Sequence, residues 1–193
     1  MADLKQTPLV DWHRANGGKL VEFAGWEMPV RYGPGVLQEH LAVRQRCGIF
    51  DVSHMGELEV SGPQARAAVD RLVTNNVATL GAGQVLYSAM CREDGTVIDD
   101  VLVYCFGDQR FWIVCNAANH PRVTQWVQDH LEGEATLNDR SADVALFAVQ
   151  GPRSPEVLGG WERIARWKDE LEQLEYYRFH PIEIDGVEAV LSR

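Results

Sequence analysis

The sequence predicts an α+β fold: a mainly antiparallel sheet flanked by helices. Two observations carry this. Short strand-like apolar runs alternate with stretches of helical periodicity, and an Asp185-Gly186 dipeptide separates the last two runs. Both central residues of a type I′ turn need positive φ, which Asp-Gly supplies, so the final two strands read as a hairpin. Helices set between hairpin-connected strands imply layers packed on one core.

The first helix is expected from Val36 to Cys47, where Val36, Leu37, His40, Leu41 and Val43 recur at helical spacing and Gly48 ends the run. Ser61-Gly62-Pro63 opens a second, with Ala65, Ala68, Val69 and Leu72 along one side. A third begins at Pro121, whose missing N–H costs nothing in a first turn, and carries Val123, Trp126, Val127 and Leu131 as its stripe. A fourth falls within Ser154 to Leu174. Strands are expected at Glu57 to Val60, Val85 to Met90, Val97 to Tyr104, Phe111 to Cys115, Val144 to Val149, Pro181 to Ile184 and Val187 to Leu191. Neither a low-complexity linker nor an internal repeat divides the chain, which favours one compact lobe.

With 193 residues, 46% of them hydrophobic, the chain can bury a substantial core. A formal charge of −10 argues against a sequence-independent grip on nucleic acid or an anionic membrane, because phosphate binding needs concentrated Lys and Arg. Cys47, Cys91, Cys105 and Cys115 form no short C-x-x-C pair and are read as reduced, buried thiols. The N-terminal stretch is interrupted by charges and Pro8 and lacks the apolar run of a signal peptide, and no segment approaches the length of a membrane span. The expected setting is cytoplasmic.

The most informative stretch for chemistry runs from Gly95 to Tyr104, where two adjacent acids enter an apolar strand. Strand alternation puts Asp100, Leu102 and Tyr104 on one face, and Asp99, Val101 and Val103 on the other. An acid sharing a face with Leu102 and Tyr104 can line a pocket; equally, both acids can simply close a turn that starts at Asp94-Gly95. Asn116 stands at the end of the Phe111 to Cys115 run, where its amide offers a donor and an acceptor to a heterocycle or begins the turn before the Pro121 helix.

Asp51, Ser53 and His54 invite a triad reading, but residues this close in an extended stretch diverge, and no G-x-S-x-G accompanies them. The six His residues show no H-E-x-x-H or other close ligand pair, so no metal is expected. Gly17-Gly18 and Gly33-Pro34-Gly35 match neither a phosphate loop nor a dinucleotide fingerprint.

Several ordered words are more specific than any one of them: Phe23-Ala24-Gly25-Trp26-Glu27-Met28-Pro29, Glu39-His40-Leu41-Ala42-Val43-Arg44, and Phe50-Asp51-Val52-Ser53-His54-Met55-Gly56-Glu57. To these add Val97-Ile98-Asp99-Asp100, Asn116-Ala117-Ala118-Asn119, Gln150-Gly151-Pro152 and the terminal Ser192-Arg193. Over essentially its whole length the sequence resembles the aminomethyltransferase family, the T-proteins of glycine cleavage systems.

That resemblance implies a folate-binding aminomethyltransferase-type domain. The reaction it implies uses tetrahydrofolate as one-carbon acceptor, releases ammonia from the aminomethyl-lipoyl arm of H-protein, and forms methylenetetrahydrofolate. It points to Asp100 as the acid beside the reacting pterin, and to Met55, Tyr87, Leu102, Tyr104, Asn116 and Tyr176 as pocket residues. Asp100 would orient the folate, stabilise developing positive charge or accept a proton, with proximity and electrostatics rather than covalent catalysis dominating.

Two departures from the family pattern stand out. Asn75-Asn76 replaces a common Asn-Asp, and Gly95-Thr96 replaces a frequent Gly-Gly, which restricts the turn that aims Asp100. The family continues past the Ser-Arg pair into a glycine-rich, acid-containing segment and further domains. Residues 1–193 are therefore read as a single folate-binding lobe that stops before the remaining domains, with an uncovered apolar face favouring self-association. The alternatives are a folate-binding domain without turnover, a folate-dependent relative such as a demethylating oxidase domain, a tRNA-modifying protein or an iron-sulfur assembly factor, and a structural domain in which Asp100 is only a turn acid.

Overall fold

A computed structural model describes residues 4–193. In chain order the elements begin β1 (Lys5–Gln6), α1 (Val10–Ala15), β2 (Lys19–Phe23), β3 (Trp26–Arg31), α2 (Val36–Gln45) and β4 (Gly48–Asp51). They continue β5 (Gly56–Ser61), α3 (Ala65–Leu72), β6 (Gln84–Cys91), β7 (Val97–Gly107), β8 (Arg110–Cys115), α4 (His120–His130) and β9 (Thr136–Asp139). The last are β10 (Phe147–Gln150), α5 (Ser154–Gly159), a 3-10 turn (Ala165–Trp167), α6 (Lys168–Gln173), β11 (Phe179–Ile184) and β12 (Val187–Ser192). Two compact units emerge, one from residues 4–54 and 145–172, the other from Met55–Val144 and Gln173–Arg193.

In the first unit a three-stranded sheet runs β1-β3-β2, and β4 pairs antiparallel with β10. The β2–β3 hairpin turns at Ala24 and Gly25, which hold φ of 52° and 82°. Ala24 carries a Cβ into a left-handed conformation that normally favours Gly, so no strong dipeptide signal announced this hairpin. Helix α2 forms close to where its periodicity places it, but none of its residues is buried, and Val36 and Leu37 are exposed. Spacing sets the helix; what lies opposite its apolar side is a tertiary matter. The single helix expected within Ser154 to Leu174 is instead two short helices and a 3-10 turn, because Gly159-Gly160 interrupts the run.

The second unit is a five-stranded sheet of order β6-β7-β8-β5-β9, with every pairing antiparallel. Leu58 and Val60 of β5, Val101, Val103 and Cys105 of β7, and Phe111, Ile113 and Cys115 of β8 point to one face. Ala65, Val69 and Leu72 of α3 and Val123 and Val127 of α4 close over them, so each helix buries the stripe its sequence spacing laid out. Trp126 and Leu131 pack at the margin of this core.

The β11–β12 hairpin turns at Asp185 and Gly186, with φ of 52° and 83° as a type I′ turn requires. Of the four cysteines Cys105 and Cys115 are buried, as expected, whereas Cys47 and Cys91 are half-buried; all four are free thiols. The expected strand from Val144 starts only at Phe147. β9 passed unnoticed in the sequence because Thr136-Leu137-Asn138-Asp139 has a single apolar residue.

Phe111 is the largest fully buried side chain of the second unit. Phe111→Ala should cost about 3–5 kcal/mol through lost transfer energy and the cavity left behind, read from urea unfolding followed by circular dichroism.

Candidate functional site

The face of the five-stranded sheet opposite the helices carries the candidate residues, and strand register shows how. Residues directly opposite in antiparallel strands share a face. Ala89 of β6 pairs with Asp100 of β7. One step along, Tyr87 pairs with Leu102, Leu102 with Val114 of β8, and Val114 with Glu57 of β5. The next row is Val85, Tyr104, Trp112 and Glu59. Asn116 follows β8 and Met55 precedes β5, both at the Asp100 end of these rows.

Asp100 is exposed at the surface of this face. Its Oδ2 accepts the Tyr87 hydroxyl at 2.9 Å, and its Oδ1 accepts Asn116 Nδ2 at 3.1 Å. The hydrogen bond to Asp100 and the charge behind it hold the Tyr87 phenol above its ordinary pKa. Tyr104 is pushed up by burial, and its hydroxyl lies 3.0 Å from Ser192 Oγ. Tyr176 is 74% exposed and meets Tyr177 edge-on at 4.5 Å between centroids. The Tyr177 carbonyl accepts the Val85 N–H, which puts this tyrosine pair beside β6.

Asp99 points to the opposite face, as strand alternation requires, and is 3% exposed. It accepts the Asn116 N–H at 2.8 Å, Asn116 Nδ2 at 2.9 Å and Asn119 Nδ2 at 2.5 Å. Asn116 thus serves both roles the sequence left open: its carbonyl accepts the Asn119 N–H to form the turn, and its amide reaches Asp99 and Asp100 together. The turn acid of this stretch is Asp94, whose carboxylate accepts the Thr96 N–H and hydroxyl.

Glu57 escaped the sequence reading. It is 1% exposed, and neither carboxyl oxygen has a hydrogen-bond partner among the described residues. Burial, and secondarily the charge of Asp139, push its pKa up to about 8. Glu59, two residues on along the same face, is only half-buried; it accepts Trp112 Nε1 and Arg110 Nε, each at 2.8 Å, and these bonds outweigh its burial and hold it below its ordinary value. One strand face therefore carries a neutral acid beside an ionised one. The only sequence signal was Glu57 alternating with Leu58 and Val60.

In the first unit Asp51 does not form a triad with its neighbours. Its Oδ2 lies 3.0 Å from His13 Nε2, and Tyr32 Oη is 2.6 Å from His13 Nδ1. With the Nε2 proton directed at Asp51, Nδ1 accepts the tyrosine hydroxyl. Burial raises the Asp51 carboxyl, but hydrogen bonds that include those from His13 and Ser53 outweigh it and leave it below its ordinary range. Ser53 Oγ donates to the Leu146 carbonyl, and burial depresses the proton affinity of His54. A separate depression of about 410 Å³ in the second unit is lined by Ala82, Gly83, Phe106 and Arg178–Pro181 and includes none of the candidate residues.

Two stability differences follow. Asp99→Ala leaves the Asn116 N–H and Asn119 Nδ2 without their acceptor, while Asn116 Nδ2 keeps Asp100, and should cost more than Asp100→Ala, by about 1–3 kcal/mol for each buried group stranded. For Glu57 the folded pKa near 8 exceeds the unfolded value near 4.5, so its contribution is fully present below pH 4.5 and is lost as pH rises through 8. Wild type should therefore lose urea resistance between pH 5 and about 8 relative to Glu57→Gln, which cannot ionise.

Residues 9–193 match the family model described as the GCVT N-terminal domain. An aminomethyltransferase of Halothermothrix orenii is 44% identical over 190 residues, covering 98% of this chain and 52% of that protein. One from Desulfitobacterium hafniense is 44% identical over 194 residues, and one from Bacillus cereus is 40% identical over 194, covering 52% and 51% of those proteins. The crystal structure of glycine cleavage system aminomethyltransferase T from Bartonella henselae superposes with a TM-score of 0.81 at 31% identity, over 92% of this chain and 47% of that one. A heterotetrameric sarcosine oxidase from Corynebacterium sp. U-96, at 15% identity and a TM-score of 0.52, shares the fold. The chain spans about half the length of the curated relatives it matches. With the α+β architecture and antiparallel sheet in agreement, the chain belongs to the GCVT N-terminal domain family.

Proposed function

We propose that this chain supplies the folate-binding portion of a tetrahydrofolate-dependent aminomethyltransferase of a glycine cleavage system. The observation that carries the reading is Asp100: an exposed carboxylate fixed on a rigid sheet by Tyr87 and Asn116, with Leu102 and Tyr104 following it on the same face. A flat heterocycle with polar edges suits aliphatic and aromatic walls bearing a few fixed donors and acceptors. Met55 and Tyr176 complete the proposed set.

Tetrahydrofolate, when bound, supplies the nitrogens that take up the one-carbon unit. Asp100 orients them, counters positive charge developing near its oxygens, and accepts the proton released as the new bond forms. Tyr87 and Asn116 hold the carboxylate so that little reorganisation accompanies the step. The lipoylated arm of H-protein is the proposed donor of the aminomethyl group, with ammonia as the other product. Four free thiols suit a reducing cytoplasm.

A second reading is a folate-binding domain without turnover. Titration calorimetry of this chain with 5-formyltetrahydrofolate, a stable reduced folate, tests both. Saturable binding is expected, weakened about tenfold or more in Asp100→Asn, a loss of the size of one charge-assisted hydrogen bond. Ammonia release from aminomethylated H-protein by the full-length enzyme should fall far more than its folding stability in the same variant. Unchanged affinity and turnover would sink the assignment of Asp100.

A further inference from the structure

Among the described residues, both carboxyl oxygens of Glu57, on the Asp100 face, are buried without a hydrogen-bond partner. Stranding a carboxyl in this way costs free energy that an apolar residue of similar size would avoid. Core packing does not account for it, because Leu58 and Val60 supply the inward side of β5 and Glu57 points the other way. Register puts it in one cross-strand row with Tyr87, Leu102 and Val114, directly alongside the row that holds Asp100. Among the described residues its neighbours give its carboxyl no partner: Leu102 and Val114 are apolar, Glu59 is engaged by Arg110 and Trp112, and Arg140, whose N–H donates to the Glu57 carbonyl across β5, turns its guanidinium to Glu59 and Asp143.

Resting on the reading of this face as the folate site, we infer that Glu57 is a ligand-binding residue that acts as an uncharged acid, donating its carboxyl proton to a carbonyl or imine-nitrogen acceptor on the bound heterocycle. An ionised carboxylate has no proton to give and would repel such an acceptor. The titratable groups of the second unit felt with Glu57 are Asp139, Tyr104 and Cys115. Asp139 disfavours a charge on Glu57, and it is itself paired with His120 at 2.9 Å. Tyr104 and Cys115 are raised, Cys115 to about 12, so neither supplies a positive charge to offset one on Glu57. Asp100 and Glu57 then divide the work: an anion for the reacting nitrogens and a donor for an acceptor edge.

Titration calorimetry with 5-formyltetrahydrofolate from pH 6.5 to 9.5, on the wild-type chain and on Glu57→Gln, Glu57→Leu and Asp100→Asn, tests this. Wild-type affinity should fall about threefold to tenfold as pH rises through 8, because the donor is lost. Glu57→Gln retains a donor that never ionises and should show no such fall. Ionisation of the ligand itself cancels in this comparison. Glu57→Leu should bind weakly at every pH while remaining folded, and Asp100→Asn should bind weakly but keep the wild-type slope. Identical pH profiles for wild type and Glu57→Gln, or full affinity in Glu57→Leu, would overturn the role of Glu57 while leaving the folate reading in place. No binding by folded wild-type chain would overturn both.

Discussion

The buried carboxylate of Asp99 is the contact from which the candidate site is built. An acid at 3% exposure is tolerable only if its oxygens are filled, and Asn116 and Asn119 fill them. The same bonds pin the turn between β8 and α4 to the start of β7. Asn116 is thereby locked where its remaining reach meets Asp100, so the exposed acid is oriented by the buried one. Adjacent Asp residues on a strand divide into a structural anchor and a chemical group because their side chains leave the sheet on opposite faces.

A similar division recurs along β5. Glu57 and Glu59 share a face and a strand, but Glu57 is fully buried and Glu59 only partly so, and different groups surround their oxygens. Arg110 and Trp112 keep Glu59 ionised; Glu57 has no donor among the described residues, and burial favours its neutral form. Environments that push paired carboxyl groups apart in proton affinity give one fold an anion and an acid at the same pH. The sheet makes this possible because it is rigid on its other side, where α3 and α4 seal a continuous apolar core. A site mounted on such a layer keeps its geometry better than one carried by loops.

The first unit shows different physics. Its polar centre, Tyr32–His13–Asp51, is a closed hydrogen-bonded chain with all its participants engaged, and its sheets are small. Ile49, Phe50, Val36 and Leu37 remain exposed there.

By itself the sequence determined the α+β class, the helices α3 and α4 with their buried stripes, the Asp185-Gly186 hairpin, and the opposition of Asp99 to Asp100. Each of these rests on local periodicity or turn chemistry, which neighbouring residues encode. The ordered words running from Phe23 to Arg193 also carried the family resemblance. The tertiary structure decided the rest: that Asp51 pairs with the distant His13, that α2 forms without burying its stripe, that Cys47 and Cys91 are half-buried, and that Glu57 lies in the row beside Asp100. These depend on which strand lies next to which and on what covers a face. Contacts between residues 38 apart, such as His13 and Asp51, or the 57-to-114 pairing of β5 with β8, leave no trace in a local pattern because chain topology alone brings them together.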